Sequence, residues 1–407
     1  MKTMISVAEA MEMILSGMPR LAGEHVTLPQ ALGRVLARDV TARLTQPFAD
    51  VSSMDGYAVR AQDVAHVPVT LTRIGEAAAG GHFAGKIGAG ETVRIFTGAP
   101  LPEGADAIVI QEVTETEGDS VVIKEVSTPG RFVRKRGLDF NEGDILLKAG
   151  TRMGPRELGL AAAMNAPWLS VVRKPRIAIV ATGNEVVMPG DPLGANQIIS
   201  SNSLLLQGFI EQWGGVALNL GIARDDETSL HALLDAARGA DLLITIGGAS
   251  VGDYDLVRKV LGDEGIDMGF YKVAMRPGKP LIFGHLGHTA VLGLPGNPVS
   301  VGVSSAVFLK PAMQTMMGMD TPLTRNAATP NDAVLGAPLG ENDQRQDYLR
   351  ASLSRDAQGA LVAHPFTKQD SAMLARFAQA DALIVRSPFA PSAQKGDRVK
   401  IIVIREA

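Results

Sequence analysis

The sequence predicts a multidomain protein of α/β plus β class, organised around a central doubly wound α/β/α unit between residues 176 and 318. Two observations predict it. The apolar runs at 176–180 (RIAIV), 241–246 (DLLITI) and 289–294 are continuous rather than alternating, and helical patterns separate them. That is the pattern of parallel strands buried on both faces. Each run also ends in a turn rich in Gly, Pro or carboxylate: Ala181-Thr182-Gly183-Asn184-Glu185, Gly247-Gly248-Ala249-Ser250-Val251-Gly252-Asp253-Tyr254-Asp255, and Pro295-Gly296-Asn297-Pro298. In such sheets ligands sit beyond the carboxyl ends of the strands, where these three loops converge.

The remaining elements follow in chain order. Residues 6–15 read as a helix, with Ser6 as N-cap, Glu9 three residues on, and a stripe of Val7, Ala10, Met11 and Ile14. A second helix is expected near 29–36, with Pro29 in its first turn. From residue 48 the texture changes to short alternating runs broken by Gly and acidic turns: 56–60 (GYAVR), 69–74, 91–96, 107–110 and 121–126. These predict a small β domain. Residues 156–164 read as helical and return the chain to its N-terminal part, so the β domain is an insertion. In the central unit, strands at 216–222, 270–273 and 280–283 accompany helices at 203–212, 228–237 and 256–261. A long helix at 299–317 closes the unit, and acidic residues 225–227 cap the helix that follows them. Residues 320–330 have linker composition, and the end is β again at 348–353, 360–364, 382–385 and 399–404.

Bulk properties narrow the function. At 407 residues the chain exceeds one core. A net charge of −4 argues against a nucleic-acid partner. With no cysteine, disulfides, thiolate metal sites and cysteine nucleophiles are excluded. Glu9 and Glu12 stand where a signal peptide needs an apolar stretch. The most apolar long segment, 158–172, is interrupted by Asn165, Pro167 and Ser170 and is too short to span a bilayer. A cytoplasmic protein with no membrane or nucleic-acid partner is expected.

The turns carry the candidate chemistry, and each has two open readings. Gly247, Gly248 and Ser250 lie between a strand and a helix, where exposed amides bind anions and where glycine also serves a plain tight turn. Asp253 and Asp255 repel a bare phosphate; they suit one bridged by Mg²⁺, or they cap the next helix. Arg276 and Lys279 place two cations around a tight turn, fit for a polyanion or for solvent. Pro295, Gly296, Asn297 and Pro298 open a helix, for a ligand or as pure capping. Residues 131–136 hold four basic side chains, read as a solvated charged strand. The seven histidines lack metal-ligand spacing.

Seven stretches in order across nearly the whole chain resemble the molybdopterin molybdenumtransferase family, the last enzyme of molybdenum cofactor assembly, to which the C-terminal domain of gephyrin is also similar. They are Ser53-Met54-Asp55-Gly56-Tyr57-Ala58-Val59, Thr97-Gly98-Ala99-Pro100 with Gly104-Ala105-Asp106, Arg136-Gly137-Leu138-Asp139, Ala181 to Glu185, Gly247 to Asp253, Arg276-Pro277-Gly278-Lys279-Pro280, and Gly293-Leu294-Pro295-Gly296-Asn297-Pro298-Val299-Ser300. The resemblance implies a helical N-terminal base (1–44 and 137–172), an inserted elongated β domain (45–136), a central α/β molybdopterin-binding domain (173–322) and a C-terminal β-barrel-like domain (323–407). It implies a homodimer that takes adenylylated molybdopterin and molybdate with Mg²⁺ and releases molybdenum cofactor and AMP. Molybdopterin adenylyltransferase and molybdoenzyme apoproteins or their chaperones are its implied partners.

Carried over by position, Asp55, Thr97, Asp139, Glu185, Asp225 and Asp255 match the family's acidic and hydroxyl site residues, with Glu185 and Asp255 as metal ligands. Lys272, Arg276 and Lys279 match its basic ones, and Arg350 and Ser371 its C-terminal anion contacts. Two positions depart from the pattern: Arg276 stands where Lys is commoner, and Ser200 where Asp is common. Two rival functions remain. The adenylyltransferase resembles the central unit alone, so the β insertion argues against it. A non-catalytic scaffold need not keep the acidic and basic turns.

Overall fold

The computed structural model describes residues 4–247, 256–319 and 331–405. The central sheet has six strands in the order Val216–Ala223, Arg176–Thr182, Leu242–Ile246, Thr289–Leu294, Pro280–Leu286 and Asp267–Lys272. Along Arg176–Thr182, Ile177 and Ile179 enter one core, while Ala178 and Val180 enter the other. The first core is covered by helices Asn202–Gln212 and Pro298–Ser304, the second by Glu227–Ala236 and Leu256–Asp263. Both faces of one strand are buried, which is why its apolar run does not alternate.

Two expectations about this unit change. The sheet is mixed: the first four strands are parallel, Pro280–Leu286 runs antiparallel to them, and Asp267–Lys272, antiparallel to Pro280–Leu286, runs in the direction of the first four again. Leu286 pairs directly with Thr289 across a two-residue turn that opens on Gly287 at φ +59. A connection that short makes a hairpin and leaves no length for a crossover helix. The long closing helix is also not uniform. It runs as α from Pro298–Ser304, widens to π over Ser305–Leu309, and resumes as α over Lys310–Met316. Pro311 donates no amide hydrogen and its ring presses on the carbonyl four residues back, which is that of Val307. The wider turn accommodates it.

The first helix, Val7–Ser16, carries the expected capping box of Ser6 and Glu9. It packs into the central core through Ala10, Ile14 and Leu15. The second expected helix is only a 3-10 turn, Leu28–Ala31. Gly33 at φ +75 then turns the chain outward, where the Gly33 amide donates to Met153 O (2.8 Å) and Met153 N to Arg34 O (2.8 Å). Gly23–Thr27 pairs antiparallel with Trp168–Val172, and Val40–Thr41 with Ile145–Leu147. A shared core of Leu36, Val40, Phe140, Met164 and Leu169 joins the two ends of the base around the insertion.

The insertion forms a six-stranded sheet: Ala107–Ile110, Gly56–Val59, Glu91–Ile95, Val69–Ala77, Ser120–Ile123 and Thr114–Glu117. Thr114–Glu117 was not foreseen, because its alternating glutamates depress β-propensity. In the C-terminal part, Gln346–Arg355, Leu361–Pro365, Asn331–Leu335, Arg398–Val403 and Ala382–Arg386 pair in turn, and the last pairs back to the first. The result is a closed five-stranded barrel. A short strand of the central unit, Met275–Arg276, is added to its rim at Gln346 and Asp347. The expected linker 320–330 lies outside the described residues.

Candidate active site

The carboxyl ends of the parallel strands gather the predicted loops. Thr182 ends one strand and Ala223 its neighbour, and the Gly183 amide donates to Ala223 O at 3.3 Å. Beyond them Asn184 and Asp225 bond reciprocally: the Asn184 amide to Asp225 Oδ2 (3.0 Å) and the Asp225 amide to Asn184 Oδ1 (3.1 Å). This lock sets Asp225 beside the residue that precedes Glu185. Glu185 is exposed, and its carboxylate folds over Gly183, where a Cβ would meet both oxygens at 2.7 Å. Its carbonyl accepts from Ile198 N at 2.7 Å, at the ribbon that pairs Val186–Val187 with Ile198–Ile199. Gly247, at φ +87, passes so close to Thr182 that a Cβ would stand 3.0 Å from its carbonyl and hydroxyl oxygens. Only glycine combines that torsion with that approach. Gly248, Ser250 and Asp255 lie outside the described residues.

The Pro295–Pro298 turn is tied on both sides. Asn202 Nδ2 donates to Gly296 O at 2.6 Å. Asn297 Nδ2 donates to Ser371 Oγ (3.1 Å), and Val299 N donates to Ser371 O (3.1 Å). So Ser371 of the C-terminal part sits against the first turn of helix Pro298–Ser304. Beneath that segment lies Arg350, 1% exposed. Its Nη2 donates to Asp370 O at 3.1 Å, its backbone is held by Gln369, and its Nε has no partner among the described residues. Burial pushes its guanidinium below the usual arginine range. A buried cation with an unfilled donor suits an anion.

The two lysines are placed differently. Lys272 lies 4.6 Å above the Tyr271 ring, with its Nζ 3.5 Å from the phenol oxygen. Lys279 is exposed and has no ion-pair partner among the described residues. Arg276 is differently occupied: its guanidinium meets Asp343 (3.2 Å), Asn342 Oδ1 (3.3 Å) and Asp347. Ser200, at the second departure, is buried and reaches Ser203 Oγ at 3.4 Å.

Asp55 and Thr97 are brought together in the β domain. Asp55 Oδ1 accepts from Thr97 N and Thr97 Oγ1, both at 2.8 Å. The amide bond first, then the hydroxyl, hold its carboxyl below the usual range, and Arg94 adds to this. Gly56 beside it is required, because a Cβ there would stand 2.0 Å from Val109 O. Asp139 is exposed at the seam with the base, its amide on Gln46 O at 3.0 Å. Three of the four basic residues at 131–136 are engaged locally: Arg131 with Glu125, Lys135 with Asp50, and Arg136 with Phe48 O. The hydrogen bonds that leave the β domain run to the base, as from Gly137 N to Pro47 O (3.0 Å).

Sequence reasoning gave no role to Asn184, Asn202, Asp343, Asp347 or Asp370. Asn184 was visible in its motif, but its partner is supplied by another loop.

The fold is that of a multidomain α/β plus β protein, with the candidate loops at the carboxyl ends of the parallel strands of its central sheet. Three family models match it in order: "MoeA N-terminal region (domain I and II)" over 5–165, "Probable molybdopterin binding domain" over 178–315, and "MoeA C-terminal region (domain IV)" over 332–404. The chain is 38% identical over 358 residues to molybdopterin molybdenumtransferase 2 of Mycobacterium tuberculosis, covering 85% of this chain and 88% of that one. It is 35% identical over 414 residues to molybdopterin molybdenumtransferase of Bacillus subtilis, covering 100% and 95%. A crystal structure of the molybdopterin biosynthesis MoeA protein of Pyrococcus horikoshii superposes with a TM-score of 0.85 at 31% identity, covering 99% of this chain and 100% of that one. The chain belongs to the molybdopterin molybdenumtransferase family. Among the described residues no helix is long and apolar enough to cross a membrane.

Proposed function

We propose that this chain transfers molybdenum: it takes adenylylated molybdopterin and molybdate with Mg²⁺ and yields molybdenum cofactor and AMP. What supports this reading is the kind of group the loops carry: exposed Glu185 and the locked Asp225 beyond the parallel strands, exposed Lys279 on its turn, and buried Arg350 with an unpartnered Nε next to the Ser371 segment. The donors suit Mg²⁺. Among the described residues no group of three or more His, Cys, Asp or Glu could hold a metal. A hard cation that takes one or two carboxylates and completes its shell with substrate oxygens and water needs no such cage. Glu185, with Asp255, would hold it, and it would neutralise charge developing on the phosphate.

The protein's own residues position and neutralise. The lysines and Arg350 draw the anions in and fix their orientation. The Asn184–Asp225 lock keeps the Glu185 turn in place, so no reorganisation is needed when charge develops. The chain works as a homodimer in which Asp55 and Thr97 of one subunit complete the site of the other. Among the described residues Asp55 and Thr97 make no hydrogen bond to the central unit of their own chain, which supports this. The reading divides the chain at 1–44 with 137–172, 45–136, 173–322 and 323–407. Molybdopterin adenylyltransferase supplies the substrate, and molybdoenzyme apoproteins or their chaperones take the product.

The test is AMP release from adenylylated molybdopterin, Mg²⁺ and molybdate. Wild type is expected to turn over, and Glu185→Ala and Asp255→Ala to lose turnover with unchanged unfolding curves. Near wild-type release in both variants sinks the assignment.

A further inference from the structure

We propose that Arg276 is a positioning residue: it clamps the 276–280 turn to the C-terminal barrel through Asp343 and Asp347, and so sets where Lys279 presents its ammonium group. Its effect on substrate rests on the transferase reading above; the clamp itself does not. Five groups meet at one place. Arg276 Nη1 pairs with Asp343 Oδ2 (3.2 Å), and Nη2 reaches both Asn342 Oδ1 (3.3 Å) and the Asp347 carboxylate. Arg345 pairs with the same Asp343 at 2.7 Å. Two guanidinium groups and two carboxylates sum to zero charge, so the cluster offers a free polyanion no net attraction. Arg345 first, with Arg276 adding, holds the Asp343 carboxyl down to about 2.

Asp347 explains why the clamp is an arginine. It is 4% exposed, and its Oδ1 has no partner among the described residues. A buried carboxylate needs a counter-charge close by. A planar guanidinium bridges two carboxylates at once, which an ammonium group on the same backbone does poorly. The backbone repeats the attachment: Met275 and Arg276 pair with Gln346 and Asp347, and Gln346 N donates to Ala274 O at 2.9 Å. On its other side the turn is seated in the central unit. Gly278, at φ +108, lies where a Cβ would stand 2.8 Å from Ser304 Oγ, and Val273 N donates to Lys279 O at 3.0 Å. The turn thus spans two domains, and Lys279 is the exposed cation at its end.

Two measurements test the clamp on the full chain: hydrogen exchange of the Gln346 amide, and the KM for molybdate in AMP release. Asp343→Asn changes an exposed residue; Asp347→Asn changes a buried one, so the two together guard against a folding defect. If Arg276 positions Lys279, both variants and Arg276→Ala speed exchange at Gln346. Each raises KM by roughly tenfold, the scale of one charge-assisted contact, with a smaller change in kcat. The effect is not additive with Lys279→Ala, because both act through one ammonium group. Arg276→Lys recovers only part of the loss. If Arg276 contacts the anion itself, Asp343→Asn frees it and lowers KM, which overturns the proposal. Unchanged exchange in both aspartate variants also overturns it. Absence of turnover in wild type defeats the transferase reading alone, and the exchange measurement still decides the clamp.

Discussion

Replacing Gly302 by alanine is expected to loosen the Ser371 segment from the central unit. Gly302 lies in helix Pro298–Ser304, and a Cβ there would stand 2.4 Å from Cζ and 2.5 Å from Cε1 of Phe377. Carbon atoms rest about 3.5–4.0 Å apart, so the ring must retreat by about 1 Å. Phe377 is 5% exposed and shares its core with Val299, Val301 and Val303, which leaves it no open side. It is carried on the short helix Leu374–Gln379, just after Ser371. If the ring stays, overpacking costs about 1–3 kcal/mol. If the helix yields, the 3.1 Å bonds from Val299 N to Ser371 O and from Asn297 Nδ2 to Ser371 Oγ stretch. Each bond is worth about 0.5–1.5 kcal/mol, so either route ends near the same loss. A chain of several domains has no single defining melting temperature, so the assay is native-state hydrogen exchange at the Val299 amide. Exchange should quicken roughly ten- to hundredfold, and Gly302→Ala with Phe377→Leu should recover most of it by restoring space. An unchanged Val299 amide in the single variant, or no recovery in the double, refutes the reasoning.

Three further outcomes are expected. Lys279→Ala should weaken binding of the adenylylated substrate roughly tenfold while leaving stability unchanged, because an exposed turn lysine adds little to folding; titration at two salt concentrations checks it, and unchanged affinity removes Lys279 from the site. Asp55→Ala mixed with Glu185→Ala under subunit exchange should recover about one quarter of wild-type activity if the dimer shares its sites, since half the dimers are mixed and each holds one intact site. No recovery, with exchange confirmed by mass, refutes sharing. Thr97→Val should raise the Asp55 pKa toward its ordinary 3.8 by removing the hydroxyl bond and keeping the amide one. Because that pKa is depressed in the folded state, the stability it lends is present above the ordinary value and is lost as pH falls through the lowered one. The variant should therefore lose less stability on acidification, and a carboxyl-carbon NMR titration identical to wild type would overturn this.

By itself the sequence determined what depends on near neighbours in the chain. The capping box of Ser6 and Glu9 closes within one helical turn, so three residues suffice to read it. The strands Arg176–Thr182, Leu242–Ile246 and Thr289–Leu294 were legible because burial on both faces demands a continuous apolar run. The loops beyond them were legible as candidate loops, because glycine, proline and carboxylates collect where a parallel sheet opens. Tertiary structure alone decided which groups those loops meet. Arg276 looked like a free cation of a tight turn until the barrel brought Asp343 and Asp347 to it. The partners of Ser371 and Asp225, Asn297 and Asn184, were likewise supplied by other loops. A turn or a cap is set by torsions and bonds a few residues long, which the local sequence states. A partner tens of residues away is chosen by the packing of whole domains, and no periodicity in the chain encodes it.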